Sequence, residues 1–276
     1  MKIILKSCII ALLCIMLAGI AGCGTFESDY IDPSGNTIAT RFIPPEGYTR
    51  TTTDDYGEYI RSIGVLEHGS RILKYDGTAI MTKYDHAAVL DIDLDARDLQ
   101  QCADSILRVR CEYLWSIGDY DSINYHLTSG DEFPYSMYRQ GYRLFVEDGT
   151  KVALEKTAEF DDSYECFRDY LLRLFTYAGT ISIESESMIV EPENMQIGDI
   201  LVFGGSPGHA MMITDMCQNS EGDVLFLLSQ GNTPAQQMHV LTSGTAFSPW
   251  FSLDDMVFPF TVGGFTFPEG SLRRLP

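Results

Sequence analysis

The chain has 276 residues, a formal charge of −20 at pH 7, and 45% hydrophobic and 12% aromatic content. That is enough apolar material to bury a core, and it argues against disorder. With 19 Lys and Arg against 39 Asp and Glu, and no basic cluster, the chain offers no phosphate-binding surface; this excludes nucleic acid and works against electrostatic adhesion to anionic lipid.

The chain opens with MKIILKSCIIALLCIMLAGIAGCG. Lys2 and Lys6 form a short basic start. Residues 7–19 are an apolar run the length of a signal-peptide core, too short to span a bilayer. Small residues, Ala21 and Gly22, then lead into Cys23. This pattern resembles the bacterial lipoprotein signal. The resemblance implies cleavage before Cys23, acylation of its thiol, and export to a position lipid-anchored on the cell membrane or outer membrane. The expected organisation is a signal over 1–22, a tether over 23–41, and a single α+β domain over 42–276.

Within the tether, Asp32-Pro33-Ser34-Gly35 reads as a turn. Residues 56–63 read as a short helix, and 71–75 as a strand closed by Asp76-Gly77. Residues 87–94 alternate as a strand. Asp91, Asp93 and Asp95 near its end lack EF-hand spacing, so a solvated acidic face accounts for them. The strongest helix pattern covers 98–117, with Asp98 as N-cap, Gln101 in capping-box position, one apolar stripe through Leu99, Cys102, Ala103, Ile106, Tyr113 and Leu114, and Gly118 as the stop. Residues 119–160 read as aromatic-rich strands and loops. A second helix spans 163–178 and stops at Gly179. From Gly198 onward the pattern is β, with strands expected at 199–203, 209–216, 223–230 and 237–241. Helices followed by an antiparallel sheet make an α+β fold.

Beyond the signal, Cys102, Cys111, Cys166 and Cys217 remain. None has C-x-x-C spacing, which leaves no structural zinc site, and no motif calls for a cofactor. Cys102 lies at the start of a capped helix, where the dipole favours a thiolate. His209 opens a strand after a glycine-rich turn, and Gln230 ends the next strand. A thiolate, an imidazolium and a polar group orienting the ring suffice for acyl transfer, with Gln101 as an amide donor to the oxyanion. Of the other histidines, His126 and His239 sit inside strand-like stretches and read as structural. Gly204-Gly205-Ser206-Pro207-Gly208 matches the serine-hydrolase G-x-S-x-G, but Pro207 lacks the N–H that motif needs and a strand follows, so it reads as a hairpin.

The order of a helix-borne cysteine, the GDILVFGGSPGHAMMITDM block over 198–216, and a polar residue one strand later resembles the NlpC-type papain-like cell-wall hydrolases. That resemblance implies a papain-like layout, with the N-terminal helix packed on a C-terminal antiparallel sheet. It also implies Cys102 as nucleophile, His209 as base, Gln230 as orienting residue, and a peptide or peptidoglycan amide as substrate. The segments 98–114, 124–130, 177–180, 208–213 and 232–241 resemble a bacterial family of exported proteins catalogued only as a domain of unknown function, which implies relatives and no activity. Two functions stay open: a cysteine-dependent amidase or peptidase, and a non-catalytic surface module that binds a ligand in the same groove. The retained cysteine-before-histidine order favours the first, and the absence of an Asp-Cys-Ser signature around Cys102 favours the second.

Overall fold

The computed structural model describes residues 28–80, 86–147 and 151–276; the signal segment and Cys23 lie outside them. The chain runs through α1 (Ile38–Arg41), β1 (Tyr48–Arg50), α2 (Asp55–Ser62), β2 (His86–Val89) and the long α3 (Cys102–Ser116). A middle region holds β3 (Asn124–His126), β4 (Glu132–Pro134), α4 (Tyr135–Arg139), β5 (Tyr142–Glu147), β6 (Lys151–Lys156), α5 (Tyr164–Tyr177) and α6 (Thr180–Glu186). Strands then dominate: β7 (Met188–Ile189), β8 (Ile200–Phe203), β9 (His209–Asn219), β10 (Val224–Gln230), β11 (His239–Leu241), β12 (Phe251–Ser252), β13 (Phe260–Val262), β14 (Phe265–Phe267) and β15 (Leu272–Arg274).

Among the described residues, nine strands share one sheet in the order β2-β11-β10-β9-β8-β15-β7, with β1 added to β9 and β12 to β10. Its pairings are antiparallel. With six helices among the described residues, the fold is α+β. The central strands are near-continuous apolar runs, and burial explains why. β8, β9 and β10 are buried along almost their whole length, so both faces are covered and alternation disappears. Helices α2 and α3 pack against β9.

Several expected elements shift for identifiable reasons. Helix α3 begins at Cys102, capped by Gln101, not at Asp98. Asp98 is used elsewhere: its Oδ1 accepts from the Ala235 backbone N–H and from Gln101 Nε2. The α5 start holds, since the Ser163 side chain accepts from the Cys166 N–H. Gly179 ends α5 and at once precedes α6, which the sequence pattern does not reveal. Residues 71–75 make only isolated bridges, Leu73 to Ala79 and Lys74 to Gln236, although the turn at Gly77 forms with φ of 77°. Residues 28–41, expected as tether, lie against the body, where Ile31, Ile38 and Arg41 are buried.

Two clusters lock the fold around the sheet. In the middle region the rings of Phe133, Tyr135, Tyr138, Phe167 and Tyr170 interlock with centroids 4.8–5.8 Å apart, the offset and edge-on geometry that aromatic quadrupoles favour. On β9, the fully buried Asp215 accepts from Arg50 Nε and Arg61 Nε, each at 2.7 Å. Asp215 sits where the β9–β10 register slips, and Arg61 also bonds the Met216 carbonyl there. A bulge so aims a carboxylate at two guanidinium groups carried on β1 and α2.

Candidate functional site

Cys102 is the first residue of α3, so its side chain stands where the helix presents N–H groups without intrahelical acceptors. The helix mouth meets the end of β10 closely because Gly231 follows that strand. A Cβ on Gly231 would strike the Ser105 hydroxyl and come within 3.0 Å of the Gln101 carbonyl oxygen. The sulfur reaches the backbone N–H of Ala210, the residue after His209 on β9. Cys102 is 6% exposed, on the wall of an open groove of about 630 Å³. Asp98, Asp104, Phe175, Thr180 and Gly208 also line that groove, and no Lys or Arg is among its described lining residues.

His209 is 1% exposed and is absent from the groove wall. Its Nε2 lies 2.7 Å from Gln230 Oε1. The ring is stacked face to face on Phe265, centroids 3.5 Å apart at 4°. Phe265 is delivered by the β13–β14 hairpin, whose two-residue turn is Gly263-Gly264 with φ of +58° and +87°. Positive φ at both central residues is the type I′ requirement, which is why glycines stand there.

The electrostatics differ from the expected thiolate–imidazolium pair. Burial raises the Cys102 thiol above its ordinary value; backbone N–H groups of Ala210, Ala103 and Cys102 pull the other way without prevailing. Burial lowers His209 to about 4, partly opposed by its bond to Gln230. At neutral pH the resting pair is a neutral thiol and a neutral imidazole, because desolvation outweighs the helix mouth. Gln101 also differs from expectation. Its Nε2 donates to Asp98 Oδ1 at 3.1 Å and its Oε1 accepts from the Thr233 hydroxyl at 2.9 Å, so one N–H and the oxygen of its amide are already engaged.

Asp104 was not singled out by sequence, and it flanks the thiol. Its Oδ2 accepts from the Gln101 N–H at 3.0 Å, and its Oδ1 has no hydrogen-bond partner among the described residues. Burial holds its carboxyl well above the ordinary carboxylate range. The only available signal was its place three residues after the true N-cap. Phe265 left no signal at all, since nothing in the sequence ties it to His209.

The remaining candidates resolve as structure. Cys111, Cys166 and Cys217 are buried free thiols. Asp93 is paired with Arg108 and Arg168, and Asp95 with Arg97. The 204–208 segment is the hairpin joining β8 to β9, with Phe203 opposite His209. Among the described residues no cluster of His, Cys, Asp and Glu is arranged to hold a metal ion, and no helix is long and apolar enough to cross a membrane.

A family model described as domain of unknown function 4846 (DUF4846) matches residues 38–274. The chain belongs to the DUF4846 family. No curated protein and no solved structure matches it significantly. The span shared with DUF4846 contains Cys102, His209, Gln230 and Phe265, and carries no assigned chemistry.

Proposed function

We propose that this DUF4846 protein is a lipid-anchored cell-envelope amidase or peptidase with a papain-like arrangement of cysteine, histidine and glutamine. Its substrate class is a peptide or peptidoglycan amide. The observation carrying the reading is the His209–Gln230 hydrogen bond, 2.7 Å long, on the strand whose next residue, Ala210, offers its N–H to the Cys102 sulfur at the wall of a groove. A groove wall with two aspartates and no basic residue suits neutral or amine-bearing peptides better than anionic ones.

In this reading His209 Nδ1 takes the Cys102 proton as the sulfur attacks the amide carbonyl, and N–H groups of the first turn of α3 stabilise the oxyanion. The C–N bond then breaks, and the imidazolium returns the proton to the leaving amine. Water, deprotonated by Nδ1, cleaves the thioester and restores the thiol. The resting neutral pair means that proton transfer accompanies attack, and substrate binding that excludes water does not have to neutralise an ion pair.

The neutral, nearly buried thiol favours the second reading, a non-catalytic binding module using the same groove. Alkylation separates the two. Iodoacetamide followed by peptide mass mapping is expected to modify Cys102 before the other thiols, and His209→Ala to slow that modification by roughly 100-fold, the low end of general-base contributions. Equal labelling of the buried thiols, unchanged by His209→Ala, together with no Cys102-dependent cleavage of cell-wall peptides, overturns the hydrolase reading. The anchor is tested separately: Cys23→Ala is expected to abolish fatty-acid incorporation, and continued incorporation refutes it.

A further inference from the structure

An imidazole can act as a base at Nδ1 only if its proton sits on Nε2, and a buried neutral ring takes whichever tautomer its neighbours dictate. For His209 that choice is made two hydrogen bonds away. Gln230 on β10 is directly opposite His239 on β11, which places both side chains on one face of the sheet. His239 Nδ1 is 3.1 Å from the Gln237 carbonyl oxygen. A carbonyl oxygen only accepts, so Nδ1 must carry hydrogen. Burial lowers His239 to about 4, so the ring is neutral and its Nε2 is an acceptor. That nitrogen stands 3.4 Å from Gln230 Nε2, an amide nitrogen that only donates. The Gln230 amide is thereby held in one of its two flips, with Oε1 toward His209 Nε2 at 2.7 Å. An amide oxygen only accepts, so His209 Nε2 carries the proton and Nδ1 keeps its lone pair.

We propose that His239 is a positioning residue: through the Gln230 amide it fixes the tautomer of His209 and leaves Nδ1 as the base for Cys102. The opposite amide flip would set a donor against His209 Nε2 and an acceptor against His239 Nε2. His239 would then need protons on both nitrogens inside a site that disfavours charge, or would lose its bond to Gln237. The chain of donors ends there. His86 faces the His239 ring edge-on at 6.1 Å, but its own Nε2 is committed to the Ser70 carbonyl at 2.7 Å. Gln230 is itself 5% exposed, which leaves little access for water to substitute for its amide. The catalytic meaning of this relay rests on the thiol-hydrolase reading; the tautomer assignment does not.

The test is nitrogen NMR of the protein with ¹⁵N-labelled histidine at neutral pH. Wild type is expected to show His209 as a single neutral tautomer protonated on Nε2. His239→Leu, which removes the acceptor for Gln230, is expected to give a mixture and to slow Cys102 alkylation by roughly tenfold, well within the cost of a wrong tautomer in related relays. His239→Gln, which retains an acceptor oxygen, is expected to restore the single tautomer and an alkylation rate near wild type. Wild-type His209 protonated on Nδ1, or His239→Leu with an unchanged tautomer, overturns the proposal without reference to any variant's activity. The assigned tautomer without Cys102-dependent hydrolysis leaves the relay standing and removes the hydrolase.

Discussion

Two imidazoles buried in neutral form should make this fold acid-sensitive by a calculable amount. His209 and His239 each fall from 6.5 to about 4 on folding. Between those values the unfolded chain binds more protons than the native one, so stability rises with pH across the window. The contribution is intact above about pH 6.5 and is lost as pH falls toward 4. At about 1.4 kcal/mol per pH unit, each ring removes about 3 kcal/mol between pH 7 and pH 4. Buried carboxyls work in the other sense: Asp104, Glu186 and Asp199 are all raised by burial and gain stability as they protonate. A difference measurement cancels them. Urea unfolding of wild type and of a His209→Gln/His239→Gln double variant, at pH 7 and pH 4, isolates the imidazole share from the change in midpoint times m. Wild type is expected to lose about 6 kcal/mol more than the double variant over that interval. Parallel pH dependence in the two proteins would mean that the rings are charged or solvated in the native state, and the neutral state assigned to His209 and His239 would fall with it.

The Cys102 thiol, raised by burial, should alkylate faster with each step up in pH and show no plateau near neutrality; a plateau there would reveal a thiolate already formed. Asp215→Ala leaves the half-buried Arg50 without this carboxylate and the buried Arg61 with the exposed Glu58 as its remaining ion-pair partner among the described residues, and is expected to cost about 3–5 kcal/mol in urea unfolding, the penalty of breaking a buried pair by removing one partner. A loss under about 1 kcal/mol would show that the pair is solvated. Gly231→Ala drives a methyl into the start of α3 and should cost about 1–3 kcal/mol, the usual range for overpacking. It should also change the Cys102 alkylation rate, since α3 must move; unchanged stability and rate would refute the close approach.

Local chemistry alone makes much of this protein legible. The apolar runs of β8, β9 and β10, the punctuation between them, the Ser163 cap of α5 and the chain order of Cys102, His209 and Gln230 are all written in short-range pattern. What pattern could not reach depends on pairing between distant segments. Asp98 looked like the cap of α3 because nothing local reveals that Ala235 takes its carboxylate. His239 looked like an ordinary strand histidine until β10–β11 register set it opposite Gln230, and Phe265 was silent until a hairpin laid it on His209. The charge state of the site inverted for the same reason. A helix N-terminus is a local property and argues for a thiolate, whereas desolvation is a property of the whole packed interior, and here it is the larger effect.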